Sequence, residues 1–275
     1  AKLILLSRLL PNVLELDVIH HINNIIKLGC KATGESIDPL PKCKGSSHKS
    51  SQYLPHDVFA ITETWLNDTF LSEEFLSSNF SVYRQDQIPG LLGTRDAGVR
   101  LAVRDKFVTR KIELPTHNNY DTLGIKICTE DSNIIIINSY FSPSLSLVDK
   151  KCCYEHLLSI ISNLSDTLSP RDKLMIVGDL NIPMVGWSLS ECETFLIPFD
   201  IPNNIDFLFD NISSFGLYQI NNVYNSNGML LDLAFVSDPS FTKLVESQLC
   251  ICSPDEHHPP LDITVSFSYS SSTTE

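Results

Sequence analysis

The sequence predicts an α/β sandwich. Short β-branched apolar runs bounded by polar or turn residues recur between residues 58 and 267, two helical stretches separate them, and several runs follow one another with no helix between. Consecutive strands argue against a simple alternating βαβ sheet.

The elements follow in order. Leu3-Ile4-Leu5-Leu6 is an apolar opening interrupted by Arg8 and Pro11, too short for a membrane span and without the small-residue cleavage site of a signal peptide. Residues 12 to 30 carry a helical apolar pattern ended by Gly29. Residues 34–52 turn polar, with Pro39, Pro41 and Gly45, and read as a loop or insertion. The predicted strands are Val58 to Ile61, Gly98 to Val103, Leu123 to Ile127, Ile134 to Tyr140, Leu174 to Val177, Leu230 to Val236 and Leu261 to Phe267. The predicted helices are Leu147 to Leu168 and Ile205 to Phe215. Residues 268–275, rich in Ser and Thr, read as a frayed tail. The expected organisation is one domain over 55–267 together with part of 1–33, within a divergent segment 1–54.

With 275 residues and 43% apolar content, the chain is long enough for one large core. Its eight Cys form no CxxC pair and no zinc-finger spacing with His, so reduced thiols in an intracellular protein are expected. Lys and Arg number 20 against 33 Asp and Glu, a net charge of −13, which argues against coating nucleic acid through a broad basic surface. Any contact with DNA must be local. Part of the acidity fits a carboxylate-rich metal site, and a solvated acidic surface accounts for more of it. The start at Ala1 suggests a piece of a longer polypeptide.

Five segments place polar residues at the ends of apolar runs, where α/β folds put their sites. Ile176-Val177-Gly178-Asp179-Leu180-Asn181-Ile182-Pro183 sets a carboxylate and an amide two residues apart, able to polarise and hold a water, although Asp/Asn turns are common. Ile61-Thr62-Glu63-Thr64-Trp65 delivers Glu63, a hard oxygen ligand of the kind Mg²⁺ prefers, or else a helix-initiating acid. Ile134 to Asn138 leads to Tyr140 ahead of Pro143, a phosphate donor or a packing residue. Asp232 lies inside Leu230-Leu231-Asp232-Leu233-Ala234-Phe235, where a buried carboxylate must be paired. Asp255-Glu256-His257-His258-Pro259-Pro260 offers a fixed, charged imidazole or an exposed accident.

In this order the segments resemble the exonuclease/endonuclease/phosphatase superfamily, and within it the apurinic-endonuclease-like domain of non-LTR retrotransposons. Glu63-Thr64-Trp65-Leu66 is similar to that domain's metal motif, and Tyr83-Arg84-Gln85-Asp86 to its Tyr-Arg-x-Asp segment. Gly98-Val99 followed by Leu101-Ala102-Val103 and Tyr140 before Pro143 match further blocks. Gly-Asp-x-Asn-x-Pro is met at Gly178, Asp179, Asn181 and Pro183 with Trp187 downstream, then Gly228 with Leu231-Asp232-Leu233, then His258-Pro259-Pro260-Leu261.

The family's opening strand leads to a metal-site Asn, for which Asn12 is the candidate here, farther from Glu63 than the pattern expects. The closing motif is usually Ser-Asp-His; spacing to Leu261 favours His258, while Glu256-His257 keeps an acid directly before a His.

The resemblance implies a four-layer α/β sandwich with two central mixed β-sheets flanked by helices. It implies Mg²⁺, or Mn²⁺, held by Glu63 and Asn12. Asp179 would act on the water, Asn181 would fix its geometry, Tyr140 would add a donor, and His258 or His257 would bind the phosphate, oriented by Asp232 and Asp255. The implied reaction nicks DNA to leave a 3′-hydroxyl primer for a neighbouring reverse transcriptase, with no membrane partner and a nuclear site of action. The rival expectations are a phospholipid or inositol-phosphate phosphoesterase of the same fold and a catalytically impaired retrotransposon remnant.

Overall fold

The computed structural model describes residues 2–7, 56–64, 79–86, 98–129, 132–247 and 256–266. One sheet is built from β1 (Lys2–Ser7), β2 (His56–Thr62), β3 (Phe80–Gln85), β4 (Val99–Arg104), β13 (Thr242–Glu246) and β14 (Leu261–Val265), in the order β13-β14-β1-β2-β4-β3. The other contains β5 (Val108–Ile112), β6 (Tyr120–Cys128), β7 (Asn133–Phe141), β8 (Lys173–Asp179), β9 (Gly186–Leu189), β10 (Leu196–Phe199), β11 (Tyr218–Gln219) and β12 (Asp232–Val236), in the order β5-β6-β7-β8-β12-β11-β10-β9. Both are mixed, with β1/β14 and β7/β8 as their parallel pairs.

The sheets pack through an apolar layer that includes Val58, Ala60, Leu101 and Val103 from the first and Leu123, Ile136, Val177 and Ala234 from the second. The second sheet buries its other face as well, against α1 (Leu147–Ser165) and α2 (Asp206–Ser214). This explains the unbroken run Ile134-Ile135-Ile136-Ile137. Ile134 and Ile136 face the first sheet, while Ile135 and Ile137 face the helices. Each such side chain contributes about 1.5–3 kcal/mol by leaving water.

Helix α1 begins where Ser146 accepts the Asp149 N–H and buries Cys153, Tyr154, Leu157, Leu158, Ile160 and Ile161 along one stripe. Because α1 follows β7 directly, its first turn lies at the end of the sheet where β7 and β8 finish. No described helix is long and apolar enough to cross a membrane.

The α/β sandwich is the fold the sequence predicts, and every predicted strand and both predicted helices after residue 55 are present with shifted ends. Both described helices cover the second sheet. The helix expected at 12–30, the polar 34–52 stretch and the 268–275 tail lie outside the described residues. One feature departs from the expected pattern: β1 runs antiparallel to β2, with Lys2 opposite Thr62 and Ser7 opposite His56. The chain therefore leaves β1 at the His56 end of β2, about 20 Å from the Glu63 end at ~3.3 Å per residue.

Candidate active site

The parallel pairing of β7 and β8 ends with Tyr140 opposite Asp179. On one side Asp179 lies opposite Asp232 of β12, and on the other Tyr140 lies opposite Asp121 of β6. Paired residues share a face, so Asp121, Tyr140, Asp179 and Asp232 form one row across four strands, on the face turned to the first sheet. The close approach of β7 and β8 depends on Gly178, at φ +135°, where an added Cβ would stand 1.9 Å from the Ser139 carbonyl oxygen.

His258 arrives ahead of β14 and completes the group. Its Nδ1 is 2.8 Å from Asp232 Oδ2, and its Nε2 is 3.9 Å from Asp179 Oδ2. The acidic and imidazole ligand atoms of Asp179, Asp232 and His258 all lie within 4.8 Å of one another. Asp179 is fully buried and Asp232 is 6% exposed. Carboxylates so placed require partners, and Asp179 has one in the Asn181 N–H, 3.1 Å from its Oδ1. Asn181 adopts φ +48°, and its side-chain amide donates to the Phe141 carbonyl at 2.6 Å, so the loop after β8 is tied to the end of β7.

Glu63 stands at the end of β2 on the facing sheet, buried and at φ +50°, outside the Asp179–Asp232–His258 group. His257 is exposed, with its Nδ1 3.2 Å from Asn227 Nδ2, and does not enter the group. Asn12 and Asp255 lie outside the described residues.

The Tyr-Arg-x-Asp segment forms an ion cluster: Arg84 binds Asp86 through Nε at 2.8 Å, and Arg100 reaches Asp86 at 3.4 Å. Arg100 is fully buried, and burial together with the neighbouring Arg84 brings its pKa down to about 10 against the pull of Asp86.

Three residues near this end escaped the sequence reading. Asp121 accepts the Gly98 N–H at 2.7 Å, and burial raises its pKa above the usual carboxylate range despite that bond and one from Gln85. Asn138, fully buried, donates to the Ile61 and Arg100 carbonyls at 2.9 and 3.1 Å. Lys150 lies in the first turns of α1, one turn before Tyr154, whose hydroxyl reaches the Leu180 carbonyl at 3.4 Å. Desolvation lowers the Lys150 pKa, against the opposing pull of the Asp179 charge. Asn138 had a usable signal, since an amide in a run of isoleucines must find partners. Asp121 and Lys150 look like ordinary surface residues in the sequence.

The donor types suit a hard divalent cation: Asp179 and Asp232 offer clustered carboxylates and Glu63 a further one at the end of the facing sheet, and magnesium sites use one or two of these with water and phosphate filling the rest. The His258 ring, oriented by Asp232, is placed to meet an anionic oxygen beside Asp179.

Against known proteins, the model of the Endonuclease/Exonuclease/phosphatase family matches residues 29–255, most of the chain. No curated protein matches the sequence. Among solved structures, a 3′-5′ exonuclease from Neisseria meningitidis is similar at 13% identity and TM-score 0.54, covering 93% of this chain and 98% of that one. An AP endonuclease from Archaeoglobus fulgidus is similar at 12% identity and TM-score 0.53, covering 92% and 97%. The endonuclease domain of TRAS1, a telomere-specific non-LTR retrotransposon, is similar at 15% identity and TM-score 0.49, covering 70% and 82%. At these identities the likeness is one of fold.

Proposed function

The chain belongs to the endonuclease/exonuclease/phosphatase family, and from that premise we propose that it is a metal-dependent endonuclease that nicks DNA and leaves a 3′-hydroxyl. The observation that carries this reading is the gathering of Asp179, Asp232 and His258 within 4.8 Å, with Tyr140 in register beside Asp179. DNA as substrate draws further support from the Tyr-Arg-x-Asp and His-Pro-Pro-Leu blocks of the retrotransposon branch. The names of the exonuclease and AP endonuclease that share the fold point the same way. In this reading the domain primes a reverse transcriptase carried by the same polyprotein, and it acts in the nucleus.

Mg²⁺ or Mn²⁺ would be held by Glu63, and when bound it neutralises charge on the phosphate and the leaving oxygen. The remaining work falls to the chain's own groups. Asp179, held by the Asn181 N–H, orients a water for in-line attack on phosphorus and takes its proton. Asn181, pinned to Phe141, keeps that loop in place. His258, charged and hydrogen-bonded through Nδ1 to Asp232, presents Nε2–H to a phosphate oxygen as negative charge builds. Tyr140 supplies a further donor. The new bond joins the water oxygen to phosphorus, the bond from phosphorus to the 3′ oxygen breaks, and the departing oxygen takes a proton from solvent to become the 3′-hydroxyl while the 5′ side keeps the phosphate.

Two rival readings rest on features of the sequence. The net charge of −13 favours a smaller anionic phosphoester such as an inositol phosphate. The absence of a clean counterpart to the family's Asn motif in the sequence, with the polar stretch 34–52, favours an impaired remnant. Supercoiled plasmid incubated with Mg²⁺ or with EDTA separates the three. Nicking that needs Mg²⁺ and disappears in Glu63→Ala and Asp179→Ala supports the endonuclease. No nicking by the unaltered protein, or nicking that survives both substitutions, refutes it, and hydrolysis of inositol phosphates alone selects the first rival.

A further inference from the structure

We propose that Asp121 and Asn138 are positioning residues for Glu63, a bracket on the second sheet that sets where the Glu63 carboxylate stands; the inference rests on the reading of Glu63 as the metal ligand. Glu63 has φ +50°, a conformation that costs a residue with a Cβ about 1–2 kcal/mol and persists where its surroundings over-determine it. The surroundings do so from both sides. Two residues before Glu63, the Ile61 carbonyl accepts from Asn138 Nδ2, which also holds the Arg100 carbonyl on the neighbouring strand. One residue after Glu63, the Thr64 N–H donates to the Gly98 carbonyl at 3.1 Å, and the Gly98 N–H donates to Asp121 Oδ2.

The two anchors are neighbours. Asn138 lies two residues before Tyr140 on the same face of β7, and Asp121 is the register partner of Tyr140 on β6. The hydrogen bonds that fix the end of β2 therefore start from the row that carries Tyr140 and Asp179, through Asp121, and from the next row on the same face, through Asn138. They bridge the gap between the sheets where the candidate ligand of one must be aligned with the catalytic carboxylates of the other. Gly98 is part of the device: at φ +98° it lies so close to the chain just past Glu63 that a Cβ would stand 2.5 Å from Thr64 Oγ1. A pair serving only to satisfy buried carbonyls would affect stability and leave metal affinity alone.

The test titrates the full chain with Mn²⁺ alone and measures affinity by the electron paramagnetic resonance of the free ion, beside the melting temperature. The variants are Glu63→Ala, Asn138→Ala, Asp121→Ala, Asp121→Asn and, as an equally destabilised control in the inter-sheet core, Ile127→Ala. Loss of a group that orients a metal ligand weakens metal binding by about 10-fold or more. Asp121→Ala and Asn138→Ala are expected to show that loss. Asp121→Asn, which retains an acceptor for the Gly98 N–H, stays near the unaltered protein, and Ile127→Ala loses stability without losing affinity. Bracket variants that bind Mn²⁺ as Ile127→Ala does overturn the inference while Glu63 stands as a ligand. Unchanged binding in Glu63→Ala overturns the metal assignment and the bracket's purpose with it. Asp121 is half-buried and its variants decide the matter if Asn138→Ala does not fold.

Discussion

Gly178→Ala tests whether the site depends on the approach of two strands. The added methyl would stand 1.9 Å from the Ser139 carbonyl oxygen and 2.9 Å from both Ser139 N and C, all backbone atoms that no side-chain rotation can clear. At φ +135° the alanine would also leave the conformations open to L-residues. Relief must come from moving β7 away from β8. Gly178 is the second-last rung of that pairing, so the cheapest movement frays the Ser139–Gly178 and Tyr140–Asp179 rungs. Losing two backbone hydrogen bonds at about 1 kcal/mol each, plus about 1–2 kcal/mol of backbone strain, gives a destabilisation of about 3–4 kcal/mol. That is a large part of the ~5–15 kcal/mol by which domains are stable. Because the frayed rung carries Tyr140 and Asp179, a displacement of ~1 Å there should cut nicking about 100-fold. Urea denaturation and plasmid nicking measure both effects. Gly216→Ala is the matched control: it also has positive φ (+65°) but meets nothing within 4 Å, so it should lose ~1 kcal/mol and no activity. A Gly178→Ala protein as stable and active as Gly216→Ala would refute the reasoning.

Three further outcomes are expected. Asp232→Asn removes the carboxylate that holds His258 Nδ1, a charge-assisted bond of about 1.5–3 kcal/mol, so kcat should fall ~10–100-fold with KM little changed; an equal rise in KM alone would contradict the role. Lys150→Gln should raise KM for plasmid and make the fall of affinity with salt shallower by about one phosphate contact, with kcat retained; an unchanged salt slope would remove Lys150 from the substrate path. Asp172 has its pKa raised by burial but lowered further by hydrogen bonds from Ser169 and Asn133, so the net shift is downward. Its stabilisation is then fully present above the unfolded value near ~4 and lost as pH falls through the lower folded value. Asp172→Asn should cost about 1 kcal/mol at neutral pH in thermal melts, and the gap to the unaltered protein should close in acid.

What the sequence displayed and what it hid follow from where each strand lies. The strands read from apolar runs, among them β7, β8, β12 and β14, lie inside the sheets. Among the described residues, the outermost strands β3, β13, β5 and β9 are absent from the predicted set, and so is β1 inside the first sheet, whose apolar run is cut short in the sequence by Arg8 and Pro11. An outermost strand buries one face at most, and β5 and β13 carry exposed Arg110, Lys111, Lys243 and Glu246 among their apolar residues. Charge at an edge suits a strand that must not pair with other chains, and it erases the run that marks a strand in sequence. β10 and β11, of four and two residues, are too short to show any period.

The same distinction governs the site. Tyr140, Asp179 and Asp232 stand out because each interrupts or ends a strand buried on both faces, where a polar group without purpose would be costly. Asp121 belongs to β6, which is also buried over most of its length, but it follows Tyr120 in a polar approach to the strand, so nothing nearby makes it anomalous. Only the register with Tyr140 and the bond from Gly98 give it meaning, and both depend on residues far away in sequence. Tyr140, Asp179 and Asp232, the groups proposed to act on substrate, sit at the ends of buried strands and can be read from contrast with their neighbours. The proposed positioning groups, Asn138 and Asp121, bond across to backbone atoms of the other sheet, so even where the sequence marks Asn138 as needing partners it does not say which they are. The contrast predicts that Asn138 and Asp121 tolerate only residues that keep the donor or the acceptor, whereas the apolar positions around them accept exchange among branched aliphatics of similar volume.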